Sequence, residues 1–228
     1  MHRIHVAGGT SSPQSTSTLT EGELEGMLQF TTEEWEKIPY PSFMCPTQVL
    51  HAIIRVNYLR AKILEDPVSY PSPRPEELLS ELRAFSPEVW AASKDSANEE
   101  WLLITRAHHT AAILYCIATL APHFPPSSFQ EIEILRAIHS SELASIMRET
   151  NDVPSLRWGT LWPLIVTSVE VAREDAAVQL LVRRRYDALA DDMATPLMME
   201  AKGVFERFWE SGKVGWDDCF DRPYAFVL

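Results

Sequence analysis

The chain has 228 residues, 46 % of them hydrophobic, and a formal net charge of −12 at pH 7. This length allows one well-buried domain of roughly 200 residues, and the acidic charge opposes direct binding to DNA or RNA, whose affinity depends on Lys and Arg. No apolar run approaches the roughly 18 residues of a membrane span, and three widely spaced cysteines, Cys45, Cys116 and Cys219, indicate a reducing intracellular compartment without a disulfide framework.

The first half of the chain begins with residues 1–20, whose small polar side chains cannot offset the entropy of ordering the backbone. We predict that this segment is a disordered tail. Thr20 and Glu23 have the spacing of a capping box and predict a short helix that begins there. Further helices are predicted at residues 47–65, 76–85, 99–121 and 129–149, with Ser86-Pro87 starting another.

The second half is predicted to contain one helix from Trp158 to Arg185, with Pro163 near its start and three arginines in its last turn. Cations there suit the negative end of the helix dipole, and the plain interpretation of the run is a solvated helix end. A last helix, closed by Gly212, precedes residues 215–228, where three carboxylates alternate with apolar side chains. A disordered tail would be polar, so we expect this end to dock into the core.

The fold class follows from what these patterns share. No stretch of convincing length alternates apolar and polar residues as a strand would, and no internal repeat is present. We therefore predict an all-α fold, a single-domain helical bundle of about seven to nine helices that occupies residues 21–228.

A set of motifs extends over roughly residues 28–228. The most specific is KGVFERFWESGKVGWDDCFDRPYAFV at 202–227, and the others are CPTQVL at 45–50, RVNYLRA at 55–61, FSPEVWA at 85–91, HHTAAILYCI at 108–117 and LWPLIVTSVE at 161–170. Together they resemble the fungal-specific transcription factor domain, the helical region that normally follows a Zn(2)-Cys(6) binuclear cluster in fungal regulators.

The resemblance implies a regulatory domain that receives effectors, controls activation and mediates self-association. We therefore expect a non-catalytic domain that binds a small apolar molecule or a protein partner between its helices, with a homodimer as a further assembly, in the nucleus or cytoplasm. The chain lacks the six closely spaced cysteines of the zinc cluster. It is either a part of a longer regulator or a stand-alone product that carries the helical scaffold alone.

Candidate ligand-binding residues are four aromatic side chains and one acid. Trp158 and Trp162 lie four residues apart on the predicted helix and share a face, and Glu170 lies roughly 80° round from Trp162. With Trp101 and Tyr115 from the most apolar helix, they are predicted to line an apolar pocket with one acid inside. The alternative for tryptophans at this spacing is plain core packing.

The alternative function is that of an enzyme, and the first reason to consider it is the group of acids near the carboxyl end. Asp217, Asp218 and Asp221 form a DDxxD pattern, which in the all-α class I isoprenoid enzymes lets Mg²⁺ bridge the carboxylates to a diphosphate. No convincing second metal motif accompanies it, so the favoured interpretation is that these acids cap helices and pair with Arg222 or other basic groups. No cofactor and no other metal site is predicted.

Two adjacent histidines are the remaining candidates. His108 and His109 lie in mid-helix, and a buried histidine can act as a general acid or base because its pKa lies near neutrality. The alternative is a hydrogen-bonded packing residue. The enzyme hypothesis is therefore a stand-alone cyclase, isomerase or lyase of fungal secondary metabolism that acts on an apolar substrate through these histidines and Asp217 or Asp218.

Overall fold

The structure is a computed structural model that describes residue 10 and residues 20–29, 45–65, 74–94, 99–171, 176–224 and 226. Within these residues it contains eleven α-helices and no β-strand, so the predicted all-α fold is confirmed. Eight of the helices are seven residues or longer, in agreement with the predicted number. The helices are α1 (Glu21–Leu28), α2 (Thr47–Glu65), α3 (Pro75–Ala84), α4 (Pro87–Ala92), α5 (Glu99–Leu120), α6 (Phe129–Glu149), α7 (Pro154–Gly159), α8 (Leu161–Glu170), α9 (Ala176–Met193), α10 (Leu197–Ser211) and α11 (Trp216–Cys219).

Helix α5 is the centre of the bundle. It packs against α2, α3, α4, α6, α7, α8 and α11. Residues 110–117 are all buried, because alanine and large apolar side chains cover every side of the helix. Residues on α5 are therefore in contact with most of the other helices.

Several predicted helix ends are present in the structure. The Thr20 hydroxyl accepts a hydrogen bond from the Glu23 backbone N–H at 3.3 Å, and the Glu23 carboxylate accepts one from the Thr20 N–H at 2.8 Å, so the capping box is confirmed. The Ser86 hydroxyl caps α4. Gly212 ends α10 with φ of +69°, in the left-handed region that favours glycine.

The prediction of a single helix from Trp158 to Arg185 is wrong, because α7, α8 and α9 are separate helices. Pro163 has no N–H to donate to the carbonyl of Gly159, and Thr160 leaves helical geometry with φ of −114° and ψ of 21°. The break gives the two tryptophans different surroundings, since Trp162 is 1 % exposed and Trp158 is 43 % exposed. They do not share a buried face.

The three-arginine run is not a solvated helix end, because α9 continues beyond it and Arg185 is fully buried. The Arg185 guanidinium donates to the carbonyls of Met147 at 3.2 Å and Leu156 at 3.4 Å, and to the Thr160 hydroxyl at 2.5 Å. Met147 and Leu156 lie in the last turns of α6 and α7, so this cation stabilises the negative ends of two other helices. Burial lowers the pKa of Arg185 to about 10.

The carboxyl-terminal stretch docks into the core, as predicted. Trp216, Phe220, Tyr224 and Phe226 are all buried, and their rings form a continuous aromatic layer. Phe205 of α10 lies against this layer, with ring centroids 6.2 Å from Phe220 and 6.1 Å from Phe226. The predicted disordered tail, residues 1–20, lies outside the described residues except for Thr10 and Thr20.

Candidate functional site

A polar network, buried except for the carboxylate of Asp217, joins the carboxyl-terminal stretch to the bundle. The Tyr115 hydroxyl donates to the side-chain carbonyl of Asn57 and accepts a hydrogen bond from the Arg60 guanidinium at 2.7 Å. The same guanidinium donates to Asp217 at 2.6 Å. These four residues, which we call the Tyr115 network, connect α2, α5 and α11. Burial raises the pKa of Tyr115 to about 12, so its hydroxyl remains protonated and can donate.

Aromatic rings surround this network. The Tyr115 ring meets Trp216 edge-on at 4.7 Å between centroids and Trp162 at 6.0 Å, and Trp162 stacks on His108 at 6.0 Å. Both indole N–H groups donate to one residue: Trp162 to the Thr10 hydroxyl and Trp216 to the Thr10 carbonyl oxygen, each at 2.9 Å. We call the position between the two indoles the Thr10 site.

The five predicted ligand-binding residues do not surround one cavity. Tyr115 and Trp162 come together in the group of rings formed by His108, Tyr115, Trp162 and Trp216, which we call the aromatic cluster. Trp101 lies elsewhere, edge-on to Trp90 at 5.9 Å, and Trp158 is 43 % exposed. The apolar pocket that these residues were predicted to form stays a prediction, and Tyr115 and Trp162 are the two of them whose rings meet.

Glu170 is held in a buried ion pair. Its carboxylate accepts two hydrogen bonds from Arg136, at 2.7 and 2.9 Å, and a third from the Ser140 hydroxyl at 3.0 Å. The adjoining cavity, of about 10 Å³, has apolar walls that include Leu114 and Leu143. A cavity of this size holds one water molecule at most, so Glu170 does not face a ligand-sized space there.

The three terminal acids each have a different partner. Asp217 faces Arg60, Asp218 lies 3.4 Å from the ammonium of Lys213, and Asp221 accepts a hydrogen bond from Tyr224 at 2.6 Å. The Tyr224 hydroxyl lowers the pKa of Asp221. Among the described residues, no group of three or more His, Cys, Asp or Glu is placed to hold a metal ion. The Mg²⁺ role of these acids stays a prediction.

The same acids line a cleft between α10 and α11 with a volume of about 290 Å³. Its lining combines apolar side chains with basic and acidic ones. Its lining is Val204, Arg207, Phe208, Ser211, Lys213, Asp217, Asp218, Cys219, Phe220 and Asp221. A second cleft of about 600 Å³, at the end of α5, has Arg74, His123 and Phe129 in its lining. The sequence analysis missed the second cleft, because its residues come from separate helix ends.

Both candidate histidines donate to backbone carbonyls. The Nε2 atom of His108 donates to Gly159 at 2.8 Å, which satisfies the carbonyl that Pro163 cannot reach, and Nε2 of His109 donates to Leu82 at 2.7 Å. Burial lowers the pKa of His108 to about 4 and also lowers the pKa of His109. Both rings are therefore neutral donors at pH 7, and their catalytic roles stay predictions.

We expect His108 to make the stability of the protein depend on pH. Between its ordinary pKa of 6.5 and the folded value of about 4, the unfolded chain binds a proton at His108 that the folded chain does not. The free energy of unfolding therefore falls as the pH is lowered through this window, by up to about 1.4 kcal/mol per pH unit. Urea denaturation at several pH values will show a shallower dependence for His108→Gln, whose amide can donate to Gly159 without titrating. If the free energy of unfolding depends on pH equally in both proteins, the assignment of this dependence to His108 is contradicted.

We expect Asp217 and Asp218 to differ in their effect on stability. Asp217→Ala removes the carboxylate that faces the buried Arg60 guanidinium, so the free energy of unfolding falls by about 1–3 kcal/mol. Asp218→Ala removes only an exposed pair with Lys213 and changes the free energy of unfolding by less than about 0.5 kcal/mol. Thermal and urea denaturation measure both. If the acids instead serve Mg²⁺, both variants lose Mg²⁺ binding to a similar extent, which isothermal titration will show.

The comparisons with known proteins place this helical domain in a class. The family model described as the fungal specific transcription factor domain matches residues 4–226. The chain belongs to this family, which confirms the resemblance and agrees with the predicted location in the nucleus or cytoplasm. No solved structure matches the chain. None of the described helices has the length and apolar character needed to cross a membrane.

One curated relative of the chain is a transcriptional regulator. Over 234 residues the chain is 32 % identical to the phomenoic acid biosynthesis cluster-specific transcriptional regulator of Leptosphaeria maculans. The alignment covers 99 % of this chain and 44 % of that protein. The chain thus spans less than half the length of the relative that it matches.

Proposed function

We propose that the chain is the regulatory domain of a fungal transcriptional regulator that controls the genes of a biosynthetic cluster. The observation that carries this proposal is the family match over residues 4–226, together with the similarity to a cluster-specific regulator. The domain binds a small apolar molecule or a protein partner between its helices, and it acts without catalysis. Self-association into a homodimer belongs to the same proposal.

DNA contact is supplied by residues outside these 228 or by a partner protein. The three cysteines are too few for a Zn(2)-Cys(6) cluster, and the net charge of −12 opposes contact with phosphates. The role of this domain is then to change the activity of whatever holds the DNA. The Tyr115 network supports such a role, because it connects α2, the central helix and the carboxyl-terminal stretch through a few hydrogen bonds.

Two experiments test the proposal. Deletion of the gene is expected to change the transcript levels of neighbouring biosynthetic genes severalfold, while transcripts of distant housekeeping genes stay constant. The full chain fused to an unrelated DNA-binding domain is expected to change transcription from a reporter, compared with that DNA-binding domain alone. Unchanged transcripts in both experiments would overturn the regulatory role.

The enzyme hypothesis predicts a different result. Turnover of a metabolite by the pure protein, lost on substitution of His108 or Asp217 but kept in a folded control such as Asp152→Ala, would replace the non-catalytic proposal. Asp152 is an exposed residue of the turn before α7, so its substitution leaves the aromatic cluster and the Tyr115 network unchanged.

A further inference from the structure

The core contains two hydrogen-bond donors that a residue far away in the sequence satisfies. Trp162 and Trp216 are each 1 % exposed, and their indole N–H groups donate to residue 10, which is 152 and 206 positions away. A buried indole N–H needs an acceptor, because leaving it unpaired loses the hydrogen bond that water would give. Thr10 provides both acceptors and is itself fully buried.

The surroundings of Thr10 have the composition of a ligand site. Such sites have mostly apolar walls and a small number of placed polar groups. Here the apolar partners are the rings of Trp162 and Trp216, which Tyr115 contacts edge-on, and His108 stacks on Trp162. The two N–H groups fix the positions of one hydroxyl and one carbonyl oxygen, and both acceptors are uncharged.

Occupancy of this site is coupled to the carboxyl-terminal stretch. Trp216 is the first residue of α11, and the next residue, Asp217, forms the ion pair with Arg60. The Trp216 ring also touches Tyr115 and Phe220. A change in what Trp216 binds therefore alters the contacts that hold α11 on the bundle.

We propose that the Thr10 site is a ligand site of the domain, filled in this structure by the chain itself. A small neutral molecule with a hydroxyl and a carbonyl oxygen on an apolar body replaces Thr10 between the two indoles, and the exchange changes how firmly α11 is docked. The regulatory meaning of this exchange rests on the proposed function, but the site and its coupling to α11 can be measured without any transcription assay.

The test uses the full chain with Thr10→Gly. This variant removes a side chain whose shape matches ethanol, so it leaves a space facing the Trp162 N–H, and ethanol is the probe. The readout is the alkylation rate of Cys219, a buried thiol on α11, assigned by peptide mass mapping against Cys45 and Cys116. We expect the rate to rise roughly tenfold in Thr10→Gly, because losing the contact with Trp162 loosens residue 10 and with it the carbonyl that holds Trp216, and to fall severalfold when ethanol fills the space.

Three controls make the result specific. Thr10→Ser keeps the hydroxyl and is expected to react at the wild-type rate. Thr10→Gly combined with Trp162→Phe keeps the space but removes the donor, so ethanol is expected to give no protection. In the wild-type protein, where Thr10 fills the site, ethanol is expected to leave the rate unchanged.

The outcomes separate cleanly. Protection of Thr10→Gly but not of the double variant supports the ligand site. A wild-type rate in Thr10→Gly, or equal protection of the double variant, overturns it. If Thr10→Gly does not fold, the same ethanol comparison is made on its helical circular dichroism signal, and failure of ethanol to restore that signal selectively overturns the proposal. None of these results depends on the reporter or transcript measurements.

Discussion

Replacing Glu170 with alanine is expected to lower the free energy of unfolding by about 3–5 kcal/mol, because it leaves the Arg136 guanidinium buried without its counter-charge. Both side chains are less than a tenth exposed, and two hydrogen bonds join them. The loss of the Ser140 contact adds to the effect. Urea denaturation followed by circular dichroism measures the change.

The double variant Arg136→Met, Glu170→Leu is the informative comparison. Replacing a whole buried ion pair with apolar side chains of similar volume is often nearly neutral, because the cost of removing both charges from water disappears as well. We therefore expect the double variant to recover most of the loss seen in Glu170→Ala. A double variant as unstable as the single one would show that the pair is needed for more than neutralising its own charges.

Phe205→Ala is expected to lower the free energy of unfolding by about 3–5 kcal/mol, because it opens a cavity where α10 meets the carboxyl-terminal stretch. The Phe205 ring stacks on Tyr186 at 5.7 Å and contacts Phe220 and Phe226. Limited proteolysis is expected to cleave the variant first near its carboxyl end, since that stretch loses its main apolar support.

Phe129→Ala is the matched control for this substitution. Phe129 is 48 % exposed at the start of α6, so the same change in side chain is expected to cost less than about 1 kcal/mol. Equal losses in the two variants, or proteolysis of Phe205→Ala that begins elsewhere, would contradict the assigned role of Phe205.

The helices that the sequence predicts best are those with local signals. Residues 47–65 and 129–149 were predicted with the bounds that the structure has, since proline and polar breaks flank each apolar pattern. The break between α7 and α8 also had a local signal. Pro163 provides it: proline has no N–H for the Gly159 carbonyl, so α7 ends at Gly159 and α8 begins at Leu161.

Two features of the folded protein, the burial of Arg185 and the burial of Thr10, had no local signal in the sequence. Arg185 belongs to a polar run, and its burial depends on the ends of α6 and α7 that come together only in the folded protein. The segment around Thr10 has the composition of a disordered tail, yet Thr10 is buried between two tryptophans from distant helices. Of the residues of the predicted pocket, Tyr115 and Trp162 lie in contact, because both belong to apolar helices at the centre of the bundle.

The long separation between Thr10 and Trp216 affects how the protein is made. A ribosome synthesises residue 10 long before residue 216, so Thr10 can pair with Trp162 before its second partner, Trp216, has been made. The hydrogen bond between Thr10 and Trp216 can therefore form only after α1 to α10 have all been synthesised.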